Sequence, residues 1–340
     1  MGSKKIIIAA GGTGGHLYPA MQLGAALQKH SLLFAGFGLK ASPFFEQKEF
    51  SFVEISSHPL RKGFFSACLK GLWQSLRLIH KWDPDIVVGF GSYHTFPLLL
   101  AAALLRRKII LFEANAVLGK VNRFFAGAAE EIAFQFPVPH RKQVLVSWLP
   151  WNEERKKRVP KEEALQFYGL EPRKKTVFVF GGSQGALFLN QMAPLLFSYF
   201  RKEVQVIHLT GGEIEDVKFS YELSSVSAFV GSFEKKMERA YSAADFVLSR
   251  SGAGTVAELI HFQLPSLLIP YPHAAEDHQR KNGEYLVANG AAYLLEQKEA
   301  TLERMIEEFQ LLLKNELEMK KRLQEKKEEK RVHFSERIGG

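Results

Sequence analysis

Lys4-Lys5-Ile6-Ile7-Ile8-Ala9-Ala10-Gly11-Gly12-Thr13-Gly14-Gly15-His16 stands near the start of the chain. Thr176-Val177-Phe178-Val179-Phe180-Gly181-Gly182-Ser183-Gln184-Gly185-Ala186 repeats its plan half a chain later. An uninterrupted apolar run predicts a strand buried on both faces, hence a parallel sheet. A glycine turn followed by a helix start lets backbone N–H groups and a positive dipole end approach an anion. Two such devices predict two α/β domains of nucleotide-binding type with a cleft between them.

The rest of the chain agrees. Apolar runs at 32–37, 52–55, 85–88 and 109–112 read as strands, alternating with helices at 19–30 and 64–80. The second set has strands at 177–180, 205–209, 228–230, 246–249 and 266–269, with helices near 190–200, 235–243 and 255–262. Such alternation implies parallel βαβ units. The basic run at 155–161 reads as the linker, and a Lys/Glu-rich helix from about 302 to 332 ends the pattern. The expected division is 1–158, 159–318 and a charged helix or tail at 319–340.

Of 340 residues, 46% are hydrophobic and one is cysteine, Cys68, so an intramolecular disulfide framework and a multi-cysteine metal site are excluded. No run approaches the roughly 20 apolar residues of a membrane span, and the apolar start is too short for a signal peptide. The net charge of +9 lies wholly in residues 1–150, which hold 17 Lys and Arg against 8 Asp and Glu. A one-sided basic field points to nucleic acid, a phosphate-bearing ligand or an anionic membrane, with solubility as the plain alternative. Between Ile55 and Trp82 there is no acidic residue. Arg61, Lys62, Lys70, Arg77 and Lys81 are interleaved there with Phe64, Phe65, Trp73 and Trp82. Phe65, Leu69, Leu72, Leu76 and Ile79 form a helical stripe expected on the core. The remaining aromatics and cations suit a membrane interface.

The first glycine turn fits a dinucleotide fingerprint poorly. Read from Gly12, it places Leu17 where the third glycine belongs, and no acidic residue ends the second strand. The Gly-Lys-Ser/Thr of a P-loop is also missing. His16 would sit at a helix start, where the dipole disfavours imidazolium, leaving a neutral imidazole able to act as a general base. In the second turn Ser183 and Gln184 offer polar groups for a diphosphate. Ser249-Arg250-Ser251-Gly252-Ala253-Gly254-Thr255-Val256-Ala257-Glu258 is a further strand–turn–helix, and Glu258 is placed to accept both hydroxyls of a ribose. The alternative for Glu258 is a helix-start charge favoured by the dipole. Pro270-Tyr271-Pro272-His273 and Glu276-Asp277-His278-Gln279 form a polar segment after a buried strand, without a metal-ligand spacing.

Taken together, Gly-Gly-Thr-Gly-Gly-His, Gly-Gly-Ser-Gln-Gly-Ala, Ser-Gly-Ala-Gly-Thr-Val-Ala-Glu and Asp-His-Gln resemble the MurG family of bacterial glycosyltransferases. The resemblance implies a GT-B architecture: two Rossmann-like domains with parallel sheets facing a central cleft, and a C-terminal helix that crosses back to the N-terminal domain. It implies inverting transfer of N-acetylglucosamine from UDP-N-acetylglucosamine to the C4 hydroxyl of the muramoyl sugar of lipid I, a polyprenyl-pyrophosphate-linked acceptor, giving lipid II for peptidoglycan synthesis. A related transferase with another donor or acceptor, or a weakly active nucleotide-sugar-binding protein, is the alternative. The implied donor residues are Thr13, Gly14, Gly15, Asn115, Ser183, Gln184, Phe233 and Glu234 near uracil, Ala253, Gly254, Thr255, Val256, Ala257, Glu258 on the ribose, and Gln279. His16 would be the catalytic base. Gly91, Ser92 and Tyr93 would lie on the acceptor side. Arg61, Lys62, Phe64, Phe65, Lys70 and Trp73 would face an anionic membrane at the cytoplasmic side of the bacterial inner membrane. No metal, no cofactor beyond the UDP-sugar substrate and no nucleic acid are implied. The chain departs from the family pattern at Phe112 and Ala114, which flank Glu113, at Asn152 in place of an arginine, and at Gly254, where many members carry leucine.

Overall fold

The computed structural model describes the chain except residues 1, 13, 44, 58–63, 149–156, 183, 184, 213 and 340, and the side chains of Phe64 and Phe65. Thr13, Arg61, Lys62, Asn152, Ser183 and Gln184, and the side chains of Phe64 and Phe65, therefore lie outside the described residues. The chain forms two compact units: Met1–Asn152 with Lys330–Gly340, and Glu153–Glu329. The division thus falls a few residues before the expected 158, and the last residues belong with the first unit.

Unit 1 is a seven-stranded parallel sheet. Its strands are β1 (Lys5–Ala9), β2 (Ser31–Gly36), β3 (Phe52–Glu54), β4 (Ile86–Gly89), β5 (Lys108–Glu113), β6 (Glu131–Phe134) and β7 (Gln143–Leu145). They are ordered β3-β2-β1-β4-β5-β6-β7. The helices are α1 (Gly14–Ala26), α2 (Phe64–Trp82), α3 (Phe96–Leu104) and α4 (Lys120–Phe125). Strand order reverses between β1 and β4, whose register pairs Ala9 with Gly89. The loops leaving these strands therefore flank the switch point where α/β sheets take ligands.

Two expectations for unit 1 shift. Helix α1 begins at Gly14, five residues before the expected Pro19, so His16 lies inside its first turn. Pro19 is tolerated because, so near the helix start, its missing N–H removes only one intrahelical bond. Helix α2 keeps Leu72, Leu76 and Ile79 of the expected stripe on the core, but Leu69 is 68% exposed and Gly71 and Ser75 are buried in its place. A Cβ on Gly71 would lie 1.9 Å from the Ser56 carbonyl oxygen, so the helix docks through its small residues. The Ser75 hydroxyl donates back to the Gly71 carbonyl. That docking turns Leu69 and Trp73 outward.

Unit 2 is a six-stranded parallel sheet of β8 (Lys175–Phe180), β9 (Val204–Leu209), β10 (Ala228–Gly231), β11 (Phe246–Ser249), β12 (Ser266–Leu268) and β13 (Ala292–Leu294). Its order is β10-β9-β8-β11-β12-β13, with the switch point between β8 and β11. The helices are α5 (Lys161–Phe167), α6 (Leu187–Tyr199), α7 (Glu215–Leu223), α8 (Met237–Ala243), α9 (Ala253–Phe262), α10 (His278–Ala288), α11 (Leu302–Lys314) and α12 (Glu316–Glu328). Helix α11 buries Met305, Phe309 and Leu312 at helical spacing and is capped by Thr301, whose hydroxyl accepts from Arg304 N–H.

The expected single terminal helix is three. A break at Asn315, whose amide donates to the Tyr293 hydroxyl at 2.8 Å, separates α11 from α12. Glu329 is then extended, and α13 (Phe334–Gly339) packs in unit 1. There Val332 pairs with Val146 beside β7, and Arg331 lies 3.9 Å over the Trp148 ring. Phe334 and Ile338 are buried with Ile6, Ile8, Phe90 and Phe112. Among the described residues no helix is long and apolar enough to cross a membrane.

Candidate functional site

In unit 1 the turn after β1 carries Gly12 at φ 90, a backbone shape that favours glycine, and α1 starts two residues later. In the His16 ring Nδ1 lies 2.8 Å from the Phe90 carbonyl oxygen. A carbonyl only accepts, so Nδ1 carries the proton and, in the neutral ring, Nε2 carries the lone pair. Phe90 follows β4 directly, so His16 and the second glycine loop are tied together at the switch point. That loop holds Gly91 and Ser92 at φ 73 and 74. The Thr95 hydroxyl lies 2.9 Å from the carbonyls of both, and the Ser57 hydroxyl donates to Tyr93 O. Gly91, Ser92 and Tyr93 thus sit beside the His16 anchor.

Glu113 ends β5 and is 4% exposed. Its carboxylate accepts from Asn115 N–H and side-chain amide, Gly119 N–H and the Asn122 amide. Burial raises its pKa and these four donors oppose the rise. Asn115 is therefore held on unit 1 by Glu113, which shapes the loop between β5 and α4. Phe112, one of the departures, points into the core, stacked on Phe334 at 5.3 Å and packed on Phe90 at 5.0 Å.

In unit 2 the turn after β8 has Gly182 at φ 92. Gly185 must lack a side chain: its Cβ would lie 2.0 Å from the Thr210 carbonyl oxygen, so the turn rests directly on the end of β9. Behind it Asn190 donates to Thr210 O at 3.2 Å and accepts from His208 Nε2 at 3.1 Å, while His208 Nδ1 takes the Tyr221 hydroxyl at 3.0 Å. Burial pushes the His208 pKa down to about 3, so the imidazole is neutral.

Past β10, Phe233 is 62% exposed. Glu234 beside it accepts from Lys236 N–H at 2.8 Å and from the Tyr168 hydroxyl at 3.1 Å, pinning the turn that presents the Phe233 ring. The Tyr168 phenol is pushed well up, first by its burial and then by the Glu234 charge.

The turn after β11 is stitched to the turn after β12. Arg250, 8% exposed, donates to Ile269 O at 3.0 Å, Pro270 O at 2.9 Å and the Gln297 side chain at 2.7 Å. Ser251 donates to Gln279 O at 2.7 Å, Asn282 donates to Ser251 O at 3.2 Å, and Gln279 Oε1 takes Tyr271 N–H at 3.0 Å. Helix α9 then starts at Ala253 behind Gly252, with no side-chain cap. Its first N–H groups are thus available to an anion. Gly254 is exposed with nothing within 4 Å of a built Cβ, so the glycine leaves open space. Val256 and Ala257, expected beside the donor, instead face the core at 0% and 2% exposure. Glu258 is half-buried, and its Oε2 accepts from the Tyr241 hydroxyl. Arg280, in the Gln279 segment, is already bridged by Asp277 and Glu284.

Sequence reasoning missed Arg250, Tyr241, Asn190 and His208 as parts of this arrangement. Their partners lie 13 to 47 residues away, and no local pattern marks them.

The outer face of α2 presents Leu69 and Trp73, 68% and 56% exposed, with Lys70 beside them and Arg77 at 4.0 Å over the Trp73 ring. A shallow depression lined by Leu76, Arg77, His80, Lys81 and Leu105 continues it, next to Leu104 at 61% exposure.

Comparison with known proteins places both units in one family. The glycosyltransferase family 28 N-terminal domain matches residues 6–134, and the glycosyltransferase family 28 C-terminal domain matches residues 176–338. The chain is 41% identical to the UDP-N-acetylglucosamine–N-acetylmuramyl-(pentapeptide) pyrophosphoryl-undecaprenol N-acetylglucosamine transferase of Protochlamydia amoebophila, over 92% of this chain and 88% of that one. It is 36% identical to the enzyme of the same name from Aquifex aeolicus, over 91% and 92%. Among solved structures, MurG of Acinetobacter baumannii superposes with a TM-score of 0.80 at 24% identity, covering 98% of this chain and 97% of that one. The glycosyltransferase of kitacinnamycin follows at 0.70 and 15%, covering 96% and 94%.

Proposed function

The chain belongs to glycosyltransferase family 28, and we propose that it transfers N-acetylglucosamine from UDP-N-acetylglucosamine to the C4 hydroxyl of the muramoyl sugar of lipid I, with inversion, to give lipid II. The observation that carries the chemical assignment is the His16–Phe90 bond. It leaves Nε2 as the basic nitrogen at the unit 1 switch point, as removal of a proton from an acceptor hydroxyl requires.

Unit 2 takes the donor in this reading. The backbone of residues 181–186 and the start of α9 hold the diphosphate, and the same N–H groups stabilise the charge that grows on departing UDP. Ser183 and Gln184 are donor contacts in the same reading. Phe233 stacks on uracil, Glu258 accepts the ribose hydroxyls, and Gln279 with Ala253, Gly254 and Thr255 meets the phosphate and sugar. The sugar C1–O bond to UDP breaks as the acceptor oxygen forms the new bond from the opposite face. The acceptor proton passes to His16 Nε2 and the electron pair leaves on UDP. Gly14, Gly15 and Asn115 count among the donor contacts, and Gly91, Ser92 and Tyr93 shape the acceptor side.

The lipid tail of such an acceptor fixes where the enzyme works. The exposed Leu69–Trp73 face with Lys70, Arg77 and Lys81 supports peripheral contact with the anionic cytoplasmic surface of the inner membrane, with Arg61 and Lys62 contributing charge. The decisive experiment is transfer of radiolabelled sugar from UDP-N-acetylglucosamine to a lipid I analogue. Formation of lipid II is expected. No transfer, together with thermal stabilisation by NAD and not by UDP, overturns the assignment.

A further inference from the structure

Tyr241 has no place in the chemistry above, yet its surroundings are specific. It lies on α8 with 2% exposure. Its ring meets Phe178 and Phe180 edge-on, at 5.2 and 5.8 Å between centroids, and stacks on Phe262 at 5.0 Å with the planes 16° apart. Phe178 and Phe180 belong to β8, the strand that delivers the 181–186 turn. Phe262 is one helical turn beyond Glu258 on the same face of α9. Three rings on two site-bearing elements thus fix where the Tyr241 hydroxyl points, and it points at Glu258 Oε2. The phenol is the donor, because an ionised carboxylate accepts only.

We propose that Tyr241 is a positioning residue for the nucleotide ribose. By holding one carboxylate oxygen, it sets the plane of Glu258 and turns the remaining acceptor positions toward a vicinal diol. A glutamate left to itself samples several rotamers, and ordering it on ligand binding costs free energy. A carboxylate already ordered by a buried phenol avoids that cost and favours a sugar bearing both hydroxyls. Tyr241 thereby contributes to selection of ribonucleotide over 2′-deoxyribonucleotide donors. The inference rests on the assignment of Glu258 to the ribose.

The test is calorimetric titration of the full chain, as Tyr241→Phe, Glu258→Ala and the double variant, with UDP and with 2′-deoxy-UDP. Phenylalanine keeps every ring contact and removes only the hydroxyl. Tyr241→Phe should weaken UDP by about 3–10-fold and weaken 2′-deoxy-UDP less, narrowing the preference. The KM for donor should rise with kcat nearly unchanged. Added to Glu258→Ala, it should do nothing further. If Glu258→Ala weakens UDP and Tyr241→Phe does not, the proposal fails and the ribose assignment stands. Equal weakening of both nucleotides by Tyr241→Phe also overturns it, because that is a structural defect. If Glu258→Ala leaves UDP affinity unchanged, both fall together.

Discussion

The two units begin with the same device and finish it differently. Gly12 and Gly182 hold nearly the same backbone shape, with φ of 90 and 92. After Gly12 the helix starts within two residues, at Gly14; after Gly182 it waits five, until Leu187. The short version brings a histidine side chain into the first helical turn, where a bond to Phe90 fixes its tautomer. In the long version Gly185 rests directly on Thr210. The short turn ends in a side chain fixed at the helix start; the long one packs backbone against the end of the neighbouring strand. The buried titratable groups differ as well. Unit 1 carries a carboxylate, Glu113, pushed up by burial against four donors, and unit 2 an imidazole, His208, pushed down.

The sharpest way to break this contrast is His16→Ala. It should lower kcat by about 10²–10⁴-fold while UDP affinity by calorimetry stays within about twofold of the parent. Comparable losses in both would make His16 structural. Next comes Phe334→Ala, which empties a buried aromatic site in unit 1 and should cost about 3–5 kcal/mol of that unit's stability. Denaturant unfolding followed through Trp148, which packs against Arg331 of the same segment, reads the loss; UDP binding should survive, and its disappearance would contradict the division into units. Glu258→Ala should weaken UDP by about 10–100-fold, and kcat at saturating donor should change little.

A pH titration sharpens the comparison of buried groups. His208 binds its proton with a pKa of about 3 when folded and near the ordinary 6.5 when unfolded, so below about pH 6.5 the unfolded chain takes up a proton that the folded chain refuses. Its contribution to unit 2 is complete above that pH and falls as pH drops, by up to about 1.4 kcal/mol per unit. Glu113 has the opposite sign: its folded pKa lies above the unfolded one, so its contribution is complete below the ordinary carboxylate pKa and is lost as pH rises through the raised value. Melting unit 2 between pH 6.5 and 5.5 should show the His208 slope, and His208→Gln should abolish it. A slope that persists in the variant assigns it elsewhere. The smallest effect belongs to the α2 face: Lys70→Gln or Lys81→Gln should lower binding to phosphatidylserine-containing vesicles by about fivefold each, less at high salt.

Much of this was legible in the sequence because it is local. Apolar runs leading directly into glycines marked the strands and turns at β1 and β8, a run followed by Ser-Arg-Ser-Gly marked β11, and His16 and Glu258 stood at fixed offsets from them. What escaped depends on distant packing. The start of α1 was hidden by Pro19, whose natural reading as a first helical residue is overridden by the glycines before it. The outward face of α2 was hidden because its docking uses Gly71 and Ser75, small residues that hydropathy does not weigh. The Tyr241–Glu258 bond needs three rings from two other elements, β8 and α9; the return of the chain end was implied by the resemblance, but not that Phe334 would be the ring it buries.

That return has a consequence in time. Residues 330–339 complete the core of unit 1 with Phe334 at 1% and Ile338 at 0% exposure, yet they are synthesised after all of unit 2. During translation unit 2 has its entire sheet while unit 1 still shows an open apolar slot beside Phe90 and Phe112. Domains fold as their chain becomes available, so the unit begun first is the one finished last. A ribosome paused before residue 330 holds a chain whose second unit is built and whose first, histidine-bearing unit is unfinished.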